Sequence, residues 1–411
     1  MQNDLNNSFK EIEKKFAKAI ATNIHISSNL LNQIPNFIQS KNIIIISDSQ
    51  IVSNNQQYFK HLKDSLKAKS YILSNPKCDL NTVNDIKNFI INVDYIIAFG
   101  SGTINDLCKY VASEFNLGYS VIATALSMNG YISKNVSISI NNHKKSVSGK
   151  SPIHAFFDLS ILKKSPKRLT CSGIFDVICS YLIDNDWLLS NLIGFDEEYD
   201  PFYLEIQKPY LEALAANFSQ IMDHQDFMPL LNLLLITGLL MNFNSSSKPA
   251  SQAEHLIAHL LDMRNSFNNN YYHGEQVLVG SVLSFQIQSL ISNHINDLTI
   301  KPKANIRFEE IFPSQYANSC KIEYKQKLNK LINYKYLSHI NQNYTKILPQ
   351  IKNNLNLTKN FFTLISKYNI SLNPGDYVIN KNETEFCLNN ACLIRNRFTH
   401  LDLLFHGKIK Q

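Results

Sequence analysis

The chain lacks any Cys-x-x-Cys pair: its seven cysteines, at positions 78, 108, 171, 179, 320, 387 and 392, are scattered and odd in number. That excludes a disulfide framework and points to a reducing compartment. An apolar core is missing from the first segment too, since Met1–Lys18 is polar and charged, so no secretory signal is read there. The longest apolar run, Leu230–Met241, is too short to span a bilayer and reads as a buried core helix. There is no Lys/Arg block, zinc-finger spacing or interleaving of aromatic and basic residues to suggest nucleic acid. Internal repeats and low-complexity tracts are absent as well. The expected location is cytoplasmic.

What is present is a chain of 411 residues with 44% hydrophobic residues and a net charge of +7. That length exceeds one ordinary core, so two domains are expected. The mild, dispersed positive charge suits an anionic small substrate. Residues 1–40 read as a helix and a turn around Pro35. Asn42-Ile-Ile-Ile-Ile-Ser-Asp48 is a continuous β-branched run, as in a strand buried on both faces of a parallel sheet. A helical stretch follows at 54–68, then strand-like Tyr71–Leu73, a helix near 81–91, and strands at Tyr95–Phe99 and Gly118–Thr124. This alternation predicts βαβ units and an α/β nucleotide-binding domain over residues 1–164. Residues 135–150 read as a β-hairpin turning at Asn141-Asn142, and Ala155–Asp158 as the last parallel strand. Beyond Ser165 the periodicity is helical (173–190, 210–222, 229–241, 274–292, 325–367), which predicts an all-α domain over residues 165–411. The Asn/Lys-rich pieces 353–359 and 380–390 read as exposed surface.

Three stretches carry chemistry. In Ser251–Glu275, Ser251 and Glu254 form a capping-box signature, and Ala253, Leu256, Ile257 and Leu260 make an apolar stripe. His255 and His259 lie roughly opposite that stripe, and His273 opens the next helical segment. Imidazole is the commonest metal ligand, although the same pattern would serve histidines on a wet helix face. The second stretch, Asp94 to Asp106, ends a strand at Gly100 and starts a helix near Thr103. Its Gly100-Ser101-Gly102 turn would let a pyrophosphate approach the helix start, but tight βα turns use glycine anyway. Asp48, just past the first strong strand, would hold an adenosine ribose hydroxyl or simply cap a helix. The third is Asp176, alone in an apolar helix between Phe175 and Val177. A carboxylate there needs a partner or a metal. With His255 and His273 it would make an oxygen–nitrogen–nitrogen set with one open position, the pattern of a catalytic ion.

With these in place the chain resembles the glycerol-1-phosphate dehydrogenases. The residues that carry the resemblance are Gly100-Ser-Gly-Thr-Ile-Asn-Asp106, Thr124-Ala-Leu-Ser-Met-Asn-Gly-Tyr131, Ser146-Val-Ser-Gly-Lys-Ser-Pro152, Arg168 through Asp176, Glu254-His255 with His259, His273-Gly-Glu275, and 394–404. The wider superfamily includes glycerol dehydrogenases, iron-dependent alcohol dehydrogenases and 3-dehydroquinate synthases. The resemblance implies a dehydroquinate synthase-like fold, a nucleotide-binding domain followed by a helical one. It implies Asp176, His255 and His273 as ligands of one divalent ion (zinc, nickel or iron) and His259 as a substrate contact. Asp48, Gly100, Ser101, Gly102, Thr103, Ile104, Thr124, Ser127 and Ser133 match positions that hold NAD(H) or NADP(H). Asn129 falls where the family has an aspartate that contacts substrate.

Three further departures are Phe175 for a glycine, Ser180 for a common lysine and Leu126 for a usual proline. Asn129 keeps an acceptor but loses the charge. The expected reaction is reversible hydride transfer between NAD(P)H and dihydroxyacetone phosphate, giving sn-glycerol 1-phosphate, with catalytic roles for Asp176, His259 and Asn129. Lys144, Lys145 and Lys150 are candidate phosphate contacts, or a solvated basic hairpin. Rival readings are a glycerol or alcohol dehydrogenase, a dehydroquinate-synthase-like enzyme, and a degenerate member that binds nucleotide without turnover. No nucleic-acid or membrane partner is expected, and the expected assembly is a homo-oligomer, a dimer first.

Overall fold

A computed structural model describes residues 2–409 apart from 225, 269 and 333–339. Its contacts divide the chain into two compact units. The first contains Met1–Ile140, Lys144–Ile174 and Ala216–Ser247, and the second Asn141–His143, Phe175–Ala215 and Lys248–Gln411. The units are therefore not sequential halves split near Ser165. The apolar helix Met228–Asn244 belongs to the first unit because it packs on helix Gln2–Phe16, where the rings of Phe16 and Phe243 stack 5.0 Å apart. Among the described residues no helix is long and apolar enough to cross a membrane.

The first unit is built on a parallel sheet of six strands: β1 (Asn23–Ser27), β2 (Ile43–Asp48), β3 (Lys69–Leu73), β4 (Tyr95–Gly100), β5 (Gly118–Ala123) and, after a hairpin, β8 (His154–Asp158). Their order is β1-β8-β5-β4-β2-β3. The β-branched run predicts this well. Ile43, Ile45, Ile97, Phe99 and Ile122 pack with Ile34, Phe59 and Leu62 in one core cluster. The alternate residues Ile44, Ile46, Ile96 and Ala98 are equally buried, so both sheet faces are covered, as a parallel sheet requires. β1 has no counterpart in the sequence reading. Asn23-Ile-His-Ile-Ser27 is half-exposed along its length, and its partner β8 lies some 130 residues away.

The expected hairpin forms as a separate two-stranded sheet, β6 (Asn135–Ile140) with β7 (His143–Ser148). Asn141 and Asn142 at its turn have φ of 52° and 58°, a left-handed conformation that asparagine tolerates and a two-residue hairpin demands.

The second unit is helical. A short antiparallel pair, Leu298–Ile300 with Gly407–Ile409, is the exception among its described residues. The helix expected over 173–190 is two helices, Lys167–Val177 and Ser180–Leu192. The segment expected over 325–367 lies partly outside the described residues; on either side of them run helices Ser314–Ile332 and Ile340–Ser366. The Asn-rich piece 353–359 is exposed at Asn353, Asn356 and Lys359 but not throughout. Asn354 is buried and donates to Asp184 and to Asn185, at 2.9 Å each.

Candidate functional site

In the sheet unit, strand order decides where the predicted nucleotide residues meet. The chain runs from β2 outward to β3, returns to the other side of β2 as β4, and continues to β5 and β8. The direction of winding therefore reverses between β2 and β4, and in α/β sheets the carboxyl ends of the strands at such a reversal are the usual place for a ligand. Asp48 ends β2, Gly100 ends β4, and Thr124 follows β5, its N–H donating to Gly100 O at 3.1 Å. The next helix starts at Gly102 rather than Thr103 and contains Thr103 and Ile104. Its N-cap residue, Ser101, makes no side-chain cap. Asp48 caps helix Ser49–Asn54 through Oδ1, which accepts the Gln50 N–H at 2.7 Å.

Residues 124–134 form an ordered loop. Ser127 Oγ lies 3.1 Å from the Tyr131 hydroxyl, and Ser133 Oγ donates to Gly130 O at 3.3 Å. The chain approaches this loop at two glycines. A Cβ on Gly173 would sit 1.9 Å from Leu126 O, and one on Gly238 would sit 2.7 Å from Asn129 O. Ser172 Oγ adds a hydrogen bond to Ser127 O at 3.1 Å.

Sequence reasoning missed the clamp beneath this loop. Lys109 is wholly buried; its ammonium donates to Gly130 O and Asn135 O at 2.9 Å each and to Asp106 Oδ1 at 3.2 Å. Asp106 Oδ2 accepts the Ser137 N–H at 3.0 Å. Burial pushes the Lys109 pKa down, and the Asp106 carboxylate opposes that shift. The available signal was an acid and a base three residues apart on one helix face. Of the hairpin lysines, Lys150 is tied to Leu117 O at 2.9 Å and Asn116 Oδ1 at 3.2 Å.

The helical unit gathers the predicted metal ligands. Asp176, near the end of helix Lys167–Val177, is 1% exposed. His255 lies on helix Ala253–Met263, and His273 opens helix His273–His294. Their Nε2 atoms stand 3.3 Å and 3.4 Å from the same oxygen, Asp176 Oδ1. Charge-assisted hydrogen bonds are shorter, about 2.7–2.9 Å. A tetrahedral ion with bonds of about 2.0–2.1 Å holds neighbouring ligand atoms about 3.3–3.4 Å apart. The donor atoms therefore have the separation that a shared ion sets, and the residues fit a divalent metal.

The surroundings agree with that assignment. Buried Glu254 accepts the His255 Nδ1–H at 2.8 Å, which leaves Nε2 as the atom facing Asp176. Orienting a ligand imidazole through its other nitrogen is the usual work of an outer carboxylate. Burial alone would lower the His255 pKa, but the hydrogen bonds to Asp176 and Glu254 outweigh it and raise it to about 9. Burial would likewise raise the Asp176 pKa, yet the two histidines hold it well below the carboxylate range. His259, one turn beyond His255, is buried with its ring 5.9 Å from that of His255 and 6.2 Å from that of His273.

The predicted capping box at Ser251 is not formed. Glu254 reaches the Gln252 N–H at 2.8 Å, and the Ser251 carbonyl and hydroxyl instead accept from Arg397. Glu254 is held in place by a helix crossing, because a Cβ on Gly280 would lie 2.0 Å from Glu254 O. Phe175 is buried, and Ser180 Oγ donates to Val177 O at 2.7 Å.

The family described as iron-containing alcohol dehydrogenase matches residues 25–166. The glycerol-1-phosphate dehydrogenase [NAD(P)+] of Methanococcus aeolicus is 30% identical over 301 residues, covering 68% of this chain and 79% of its own. That of Archaeoglobus fulgidus is 27% identical over 266 residues, 63% of this chain and 75% of its own. Among solved structures, the Red Sea brine pool alcohol dehydrogenase ADH/D1 has a TM-score of 0.54 at 12% identity, covering 93% of this chain and 96% of its own. The iron-containing alcohol dehydrogenase of Thermotoga maritima has a TM-score of 0.52 at 14% identity, covering 67% of this chain and 79% of its own. These two likenesses concern the fold. With that span of sequence, the chain belongs to the glycerol-1-phosphate dehydrogenase family.

Proposed function

We propose that the protein interconverts dihydroxyacetone phosphate and sn-glycerol 1-phosphate with NAD(P)H, using one divalent ion held by Asp176, His255 and His273. The observation that carries this reading is the 3.3 Å and 3.4 Å spacing of the two imidazole nitrogens around one buried carboxylate oxygen. When bound, the ion supplies Lewis acidity toward the carbonyl and the nicotinamide supplies the hydride. Asp176 contributes the buried negative charge, and Glu254 fixes the His255 ring. His259 places the substrate or passes a proton to its oxygen. Asn129 offers an uncharged amide to a substrate hydroxyl. Asp48, the Gly100–Ile104 turn, Thr124, Ser127 and Ser133 hold the cofactor, supported by their place at the strand ends beside the winding reversal. Residues 1–164 would then carry the nucleotide contacts with Asn129, and residues 165–411 the metal ligands and His259. Asp48 repels a 2′-phosphate, so NADH should serve at least as well as NADPH. A homodimer in the cytoplasm is the expected setting; light scattering tests the assembly.

The direct test combines metal analysis with NADH and NADPH oxidation on dihydroxyacetone phosphate and on unphosphorylated dihydroxyacetone. The expected result is stoichiometric metal and turnover of the phosphorylated ketone. Turnover of the unphosphorylated ketone alone would move the protein to the glycerol dehydrogenase reading. Bound nucleotide with no turnover of either would mean a degenerate member.

A further inference from the structure

A second buried carboxylate in the helical unit holds the start of the metal-ligand helix. Asp186, on helix Ser180–Leu192, is fully buried. Its Oδ2 accepts the Ala253 N–H at 3.1 Å, while its Oδ1 accepts the His400 N–H at 2.9 Å and the His400 Nδ1–H at 2.6 Å. Ala253 and His400 are the first residues of two different helices, Ala253–Met263 and His400–His406. One carboxylate therefore satisfies an opening N–H of both. The first helix depends on it: Gln252, its N-cap residue, makes no side-chain cap of its own. A negative group at a helix start also answers the helix dipole.

The anchor is itself held. His400 Nε2 lies 2.8 Å from the Tyr344 hydroxyl, which lies 3.0 Å from Ser292 Oγ. His400 and Tyr344 are fully buried and Ser292 nearly so. The His400 ring is thus held at both nitrogens, by Asp186 and by the tyrosine hydroxyl. The arrangement leaves Asp186 little freedom to turn.

We infer that Asp186 is a positioning residue for the metal site, fixing the helix start from which Glu254 and His255 project. The inference rests on the metal reading above. Asparagine cannot replace it. With one acceptor oxygen and one NH₂ group, it presents a donor either to the Ala253 N–H or to His400. The opening turn would then shift, and His255 with it.

The test uses full-length protein stripped of metal and titrated with Co²⁺ against a chelator, reading affinity and the visible ligand-field absorption. Asp186→Asn should bind cobalt about 10–100-fold more weakly, the usual effect of an outer-shell change, with an altered band. Ala253→Pro keeps Asp186 and replaces the N–H with a ring carbon, at a position where proline suits a helix. It should weaken binding in the same direction, and it decides the matter if Asp186→Asn does not fold. Asp184→Asn is the control: on the same helix and also buried, Asp184 accepts from Tyr199, Gln350 and Asn354. It should keep wild-type affinity and spectrum. Wild-type cobalt binding in Asp186→Asn, or an equal loss in Asp184→Asn, overturns the positioning role alone. A wild-type protein that binds no cobalt overturns the metal reading, and this inference with it.

Discussion

Two buried charge clusters, one in each unit, meet the same desolvation cost with opposite partners. In the sheet unit, Asp106 faces Lys109, an ammonium that is also wrapped by two backbone carbonyls. Every partner there is a committed donor or acceptor, and the cluster closes on itself. In the helical unit, Asp176 faces two imidazoles, and a neutral imidazole can offer a lone pair in place of a proton. A cluster of that kind is completed by a cation from outside. The contrast separates a structural clamp from the proposed ligand set: each is built on a buried carboxylate, but the second has its nitrogens spaced as an ion would set them.

The largest expected effect breaks the helical cluster. His255→Ala or His273→Ala should abolish metal retention and turnover while the protein stays folded, because the helices rest on their own apolar contacts. Metal analysis with circular dichroism checks it, and full metal content in either variant would remove that histidine from the ligand set.

Next comes the opposite break. Lys109→Met leaves Asp106 buried without its cation, a change that costs about 3–5 kcal/mol. Urea unfolding should show that loss while the metal content of the folded fraction is unchanged. Loss of metal together with stability would erase the distinction between the clusters.

A matched pair of glycines sharpens the comparison. Gly173→Ala and Gly280→Ala each drive a methyl group into a backbone carbonyl, at 1.9 Å and 2.0 Å, and overpacking of this kind costs about 1–3 kcal/mol. Gly173→Ala should raise KM with its effect centred on the 124–131 loop. Gly280→Ala should loosen metal binding through Glu254. Kinetics and metal affinity measured on both variants should separate in those directions.

Another buried histidine tests the role of neighbouring charge. Burial, then Lys327 and Lys303, push the His406 pKa down to about 3, the opposite of His255 beside its carboxylates. The folded state therefore binds fewer protons than the unfolded one. Stability from this group is complete above about pH 6.5 and is lost as pH falls toward 3, by up to about 1.4 kcal/mol per pH unit. Unfolding midpoints at pH 7 and pH 5.5 should differ less in His406→Asn than in the wild type, and equal differences would remove His406 from the acid sensitivity.

The smallest effect concerns Asn129. A hydrogen bond to a charged group is worth roughly 1 kcal/mol more than a neutral one, so Asn129→Asp should raise activity on dihydroxyacetone phosphate about fivefold. Lower activity on another substrate would indicate changed specificity. Clear wild-type turnover left unchanged by the substitution would mean that Asn129 does not touch substrate.

The sequence by itself determined the inner strands, because Ile43–Ile46 and Tyr95–Phe99 are apolar at every position and can only be buried on both faces. It also determined which residue types were available for metal chemistry: an acid in an apolar helix and histidines at and beyond a helix start. Side-chain chemistry and local period are properties of short stretches, so they can be read without a fold. Tertiary structure decided the rest. β1 exists because β8 accepts it, and no local pattern announces a half-exposed strand. Glu254 reads as a cap residue until the chain is folded, and only then does its carboxylate meet His255. Lys109 and Asp186 look like ordinary charged residues in sequence, and their burial depends on partners that arrive from up to 214 residues away. Partners so distant leave no trace in local period, since which carboxylate closes on which N–H is settled only when the helices pack.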